Sequence, residues 1–140
     1  MEPHEIEHEE GNDVDEEILA ELFVLLDDGT PDGLIQACDM FLVGVPTALA
    51  DLRSALAEAR LDNARFDPVG KIAHTLRGTA GAFGAARLGR LATRLEDACG
   101  RADGATADAE RAGALVDQME GEFVAFRAVL TSRLASPTPA

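Results

Sequence analysis

The sequence predicts an all-α protein, an up-and-down antiparallel four-helix bundle with an extra short N-terminal helix. Three observations predict it. Apolar residues make up 46% of the 140-residue chain, with no Trp or Tyr, and no segment alternates as a half-buried sheet strand does. Apolar residues instead recur at steps of three and four along four substantial segments. Short Gly-, Asp- and Pro-containing connections separate those segments, which sets consecutive helices side by side. The length suits one domain with a real core.

Residues 1–13 form an acidic tail with too little apolar content to pack, and disorder is expected there. The domain is expected over 14–134, and 135–140, ending in "SPTPA", should fray. Asp13 with Glu16 reads as a capping box that opens a short helix, with Ile18, Leu19, Leu22, Phe23, Leu25 and Leu26 as its apolar side. "DDGT" ends it. Thr30 as N-cap and Pro31 at the first helical position start the second helix, which carries Leu34, Cys38, Phe41, Val45, Leu49, Leu52 and Leu56. Pro46 removes one backbone donor within it, so a bend is predicted rather than a stop. Asp67 as cap and Pro68 after it open a third helix that should run to about Phe83. After a turn at Gly84 and Ala85, Leu88, Leu91, Leu95 and Ala98 mark a fourth helix that Gly100 terminates. "RADGATAD" is a loop, and from about Asp108 a last helix carries Ala112, Leu115, Met119, Phe123, Phe126 and Leu130.

Charge narrows the function classes. The net charge of −14 argues against nucleic-acid binding, which needs clustered cations. Residues 1–17 hold nine of the acids and no Lys or Arg, so most of the acidity belongs to the tail. Between 71 and 101 the balance reverses to +4. The longest apolar run is too short and interrupted for a bilayer and the N-terminus is acidic where a secretory signal is basic, so a cytoplasmic protein without membrane contact is expected. Cys38 and Cys99 lack metal-ligand spacing and read as small apolar residues in a reducing compartment.

The stretch "KIAHTLRGTAGAFGA", residues 71–85, concentrates the chemistry. At about 100° per residue, Val69, Ile72, Leu76, Thr79 and Phe83 fall opposite His74 and form the expected core stripe, so His74 points outward. Gly70, Gly78 and Gly81 lie within roughly 40° of it, and Lys71 and Arg77 flank it at roughly 60° on either side. Each interior glycine costs a helix up to about 1 kcal/mol relative to Ala. Three on the solvent side suggest a surface that admits another protein's backbone and a tetrahedral anion. An exposed imidazole offers a nucleophilic nitrogen at neutral pH, and a phosphoryl group is its natural electrophile. Lys71 and Arg77 are placed to stabilise the charge on its equatorial oxygens. No phosphate-cradling loop is present, so the donor must be another protein or a small activated phosphate.

At these residues the sequence resembles the histidine-containing phosphotransfer (HPt) domains of multistep two-component phosphorelays. The pattern is His74, Leu76, Arg77, Gly78, Gly84 and Ala85, followed by "ARLGRLATRLEDAC", and the resemblance extends over about residues 15–132. It implies a four-helix-bundle protein in which His74 takes a phosphoryl group from the phospho-aspartate of one receiver domain and passes it to another. It also implies phosphorylation at Nε2, with no cofactor of the protein's own and Mg²⁺ in the receivers. Response-regulator receivers and a hybrid histidine kinase are the implied partners, and a monomer without kinase or phosphatase activity is expected. The basic third and fourth helices suit acidic receivers, with Arg87 and Arg90 helping to dock them if their face adjoins His74. Arg87, Arg90 and Arg94 at spacings of three and four otherwise form a solvated face. Two features depart from the pattern. Arg77 stands where Lys is more frequent, and Thr79 and Ala80 where Ser is, and a guanidinium does not meet phosphate as an ammonium does.

Two readings compete. One is a helical adaptor that binds receivers or other signalling proteins through the same face without phosphorylation, against which the retained histidine speaks. The other is a metal site at His4 and His8, which lack a second ligand cluster and read more simply as part of a solvated tail. A hydrolase has less support still, because no carboxylate pair is expected on the face of His74.

Overall fold

The computed structural model describes residues 13–26, 32–61, 66–99 and 109–135. Among them are five helices and no strand: α1 Glu16–Leu26, α2 Asp32–Leu61, α3 Asp67–Phe83, α4 Ala86–Cys99 and α5 Ala109–Ala135. Each of the four longer helices packs on two others, α2 on α3 and α5, and α4 on α3 and α5, while α1 lies against α2 and α3. The core follows from the apolar spacing: Leu34, Cys38, Phe41, Val45, Leu49, Leu52 and Leu56 of α2 are all buried, as are Leu115, Met119, Phe123, Phe126 and Leu130 of α5. Phe41 is its centre. Its ring lies 4.6 Å from Phe83, 5.3 Å from Phe126 and 6.0 Å from Phe123, at separations where aromatic pairs attract beyond their buried area.

The helix starts differ from the sequence expectation. Asp15, not Asp13, caps α1, its Oδ1 accepting the Ile18 amide at 3.1 Å. Asp13 is committed elsewhere, because its carbonyl accepts the amide of Arg87 in the first turn of α4 at 3.0 Å. The Asp15 amide in turn donates to the Gly84 carbonyl at 2.7 Å. Residues 13–15 thus strap the α3–α4 turn and satisfy donors and acceptors that helix ends leave open. At the start of α3 the cap is Phe66, without a side-chain hydrogen bond, so Asp67 and Pro68 lie inside the first turn. The end of α3 is as predicted: Gly84 has φ of 79°, and the Ala85 amide returns to the Ala80 carbonyl at 2.9 Å. Thr30, Pro31, Gly100, residues 101–108, 1–12 and 136–140 lie outside the described residues, whereas Asp13 and Ala135, expected in the disordered and frayed tails, are ordered by the strap and by the last turn of α5.

Helix α2 runs unbroken through Pro46. Gly33–Leu61 is also long and apolar enough, by length and composition, to cross a membrane, which the sequence reading did not expect. In this fold its apolar stripe is a wall of the bundle core, and Arg53 on its outer side joins Asp117 and Glu120 of α5. Polar residues between core positions interrupt its apolar run, whereas mean hydropathy is insensitive to them.

Candidate functional site

The side of α3 that meets the core is turned relative to the expected stripe. Val69, Ala73, Leu76 and Ala80 are buried, whereas Ile72, Thr79 and Phe83 are only partly so. The reason is the close approach of α4. A Cβ at Gly89 would lie 3.7 Å from the Ala80 Cβ and 4.0 Å from the Arg77 carbonyl oxygen. Small residues on both helices let α4 flank the histidine face and carry Glu96 up to it.

His74 points outward as predicted, its side chain 60% exposed, and its ring is held from one edge. Nδ1 lies 2.8 Å from Glu96 Oε2 and 3.1 Å from Arg77 Nη2. The second Glu96 oxygen, which is buried and makes no hydrogen bond, lies 3.3 Å from Arg77 Nη1. These contacts decide the tautomer. A guanidinium only donates and an ionised carboxylate only accepts, so Nδ1 can satisfy one of them. The shorter contact is to the carboxylate, and it exists only if Nδ1 carries the proton and donates it to Oε2. Arg77 then pairs with Glu96 and lies alongside the ring. In the neutral ring Nε2 then keeps its lone pair, and no hydrogen bond engages it among the described residues.

Of the three glycines, Gly78 and Gly81 face open space, where a Cβ would meet nothing within 4 Å. Gly70 instead packs at the end of α4, where a Cβ would lie 3.7 Å from the Cys99 Cβ. Lys71 is exposed and lines a cleft with Gly70, His74, Glu96 and Cys99. Burial pushes the Cys99 thiol up to about 11, so it contributes an apolar wall there and not a nucleophile. On the other side of His74 an apolar groove between α2 and α3 runs past Met40, Gly44, Thr75, Gly78 and Phe83. Met40 and Val43 are largely exposed beside it.

The structure does not bring Arg87 to the histidine. Arg87 pairs with Glu122 of α5 at 3.3 Å, both about one-fifth exposed, and lies roughly 180° around α4 from Glu96. Arg90 is partly buried, roughly 120° around α4 from Glu96. Burial, and then the charge of Asp13, hold the Glu122 carboxyl above its usual range against the opposing pull of Arg87. His4 and His8 lie outside the described residues, and no cluster of three metal-ligating side chains occurs among those described.

Glu96 is a site residue that the sequence did not single out: no carboxylate pair was expected on the face of His74, and the structure brings one carboxylate to its ring. A signal existed in "GRLATRLE": Gly89, Thr93 and Glu96 recur at helical spacing on one face of α4, and a glycine there marks the side of close approach. The family model described as Hpt domain matches residues 36–127, about two thirds of the chain. Comparison with curated proteins and with solved structures returns no match.

Proposed function

The chain belongs to the Hpt domain family, and from that premise we propose that it relays phosphoryl groups between phospho-aspartate receiver domains through His74. The observation that carries this reading is the exposed imidazole whose Nδ1 proton is held by Glu96, which leaves Nε2 as the nucleophile. The Nε2 lone pair attacks phosphorus, the N–P bond forms, and the P–O bond to the aspartyl carboxyl breaks, returning an ionised aspartate to the receiver. Nδ1 keeps its proton throughout. The ring gains formal positive charge as it does so, and Glu96 is placed to stabilise it. The reverse steps deliver the group to a second receiver, and Mg²⁺ belongs to the receivers. The partners would be response-regulator receivers and a hybrid histidine kinase, met in the cytoplasm by a monomer that neither hydrolyses nucleotide nor acts as a phosphatase. The helix pairing favours an up-and-down four-helix bundle with α1 added at one end.

The open backbone at Gly78 and Gly81 and the apolar groove beside them suit the approach of a receiver, whereas Arg87 and Arg90 act at a distance through charge alone. The test is transfer of label from a panel of radiolabelled phospho-receivers to the wild-type chain and to His74→Ala. Wild type should take a label that is lost in acid and kept in base, and the variant should take none. Binding of receivers without transfer would sink the relay reading and put the adaptor in its place.

A further inference from the structure

The two cations beside His74 do not share one environment, and their difference assigns them different work. Arg77 is engaged: one guanidinium nitrogen lies 3.1 Å from Nδ1 and the other 3.3 Å from Glu96 Oε1. Both contacts sit at the Nδ1 edge of the ring, away from the nitrogen that would receive phosphorus. Lys71 is exposed on the preceding turn, lines the cleft that His74 opens into, and makes no ion pair among the described residues. An ammonium on a four-carbon stem reaches a range of positions, whereas a guanidinium paired with the Glu96 carboxylate alongside the ring is confined to the Nδ1 edge.

We propose that Lys71 is the cation that meets the phosphoryl group on Nε2, and that Arg77 is a positioning residue that acts through Glu96 and the Nδ1 edge. This rests on the phosphotransfer reading of His74. Arg77 neutralises Glu96, whose Oε1 is buried without a hydrogen bond, and so holds the carboxylate where it accepts the Nδ1 proton. Glu96 in turn keeps Arg77 from donating to Nδ1. Were the carboxylate absent, Arg77 would become a donor to Nδ1, the proton would move to Nε2, and the nucleophilic lone pair would be lost.

The experiment is phosphorylation of the full chain by phosphoramidate, with nitrogen-15 spectra of the His74 ring recorded in parallel. Lys71→Ala should slow capture about tenfold, less than a buried oxyanion donor would because water screens the site, and leave the ring spectrum unchanged. Glu96→Ala should shift the ring toward the Nε2–H form and slow capture, and adding Arg77→Ala should reverse that shift. The Lys71→Ala effect should multiply with either. Loss of the rate through Arg77→Ala, undiminished in the Glu96→Ala background and with the tautomer unmoved, would make Arg77 the phosphoryl contact and overturn the division. A wild-type chain that takes no phosphoryl group from phosphoramidate or from any phospho-receiver would overturn the relay reading and this assignment with it. Circular dichroism on each variant separates these outcomes from failure to fold.

Discussion

At His74 the contact that matters comes from a side chain 22 positions away, so it depends on how α4 is set against α3. Periodicity along α3 correctly turned the imidazole outward and left Gly78 and Gly81 bare, because those properties belong to one helix. It misplaced the core stripe because Ala73 and Ala80 carry little hydrophobic signal, yet they are the residues that α4 buries. Glu96 is easily passed over for the same reason: an acid among basic neighbours reads as a solvated face unless the nearby glycine, Gly89, is taken to mark the side on which the partner helix approaches. The consequence is testable at the single residue. Glu96→Gln, which keeps an acceptor oxygen but removes the charge, should retain the Nδ1–H tautomer more fully than Glu96→Ala in nitrogen-15 spectra of the ring. Equal tautomer ratios in the two variants would mean that Glu96 does not orient the ring. Cys99, in the same cleft, has its thiol pushed up from 9.0 to about 11 by burial. Its thiolate fraction at pH 8 is then about a hundredfold below that of an unperturbed thiol, and alkylation in a Cys38→Ala background should be slower by a similar factor. A rate equal to that of a free thiol would show that the end of α4 opens readily.

Element ends were read less well than element faces. The apolar stripes of α2 and α5 and the three leucines of α4 were legible, since spacing alone sets them, whereas in α4 Ala92 is buried in place of the expected Ala98. Three acids near two helix starts competed for the cap positions, and tertiary contacts chose among them: Asp13 went to the strap over α4, Asp15 became the cap of α1, and Asp67 fell inside α3. The α3–α4 turn is where this choice is enforced. Gly84 is at φ 79°, and a Cβ there would stand 2.8 Å from the Asp15 carbonyl oxygen and 3.2 Å from the Leu19 amide nitrogen. Gly84→Ala should therefore destabilise the fold by about 2 kcal/mol, combining left-handed backbone strain with a clash against backbone that cannot swing away. Gly121 on α5 is the opposite case. It is helical, exposed and has nothing within 4 Å of its Cβ position, so Gly121→Ala should stabilise by up to about 1 kcal/mol. Urea denaturation of both variants checks the signs, and a neutral Gly84→Ala would mean that the strap yields.

Across the whole molecule, charges join the helices in two different regimes. Arg53 of α2 meets Asp117 and Glu120 of α5, and Arg133 of α5 meets Glu16 of α1, all in exposed positions where water and salt screen the attraction. Arg53→Ala should cost under about 1 kcal/mol, and less at high salt. Glu122 is different, because it is largely enclosed between α5, Arg87 of α4 and Asp13 of the strap. Desolvation comes first and Asp13 second in raising its carboxyl above 4.5, and the attraction of Arg87 does not offset them. The folded chain therefore binds this proton more tightly than the unfolded chain does. Linkage fixes the sign: the contribution to stability is fully present below pH 4.5 and is lost as pH rises through the higher folded value. A glutamine cannot ionise, so Glu122→Gln should gain on the wild type as pH rises from about 4.5 to 7, read as the difference between their urea midpoints at the two pH values. If wild type gained instead, the Arg87 pair would outweigh the burial of the charge, and the strap end of the bundle would be fastened by that ion pair and not merely tolerant of it.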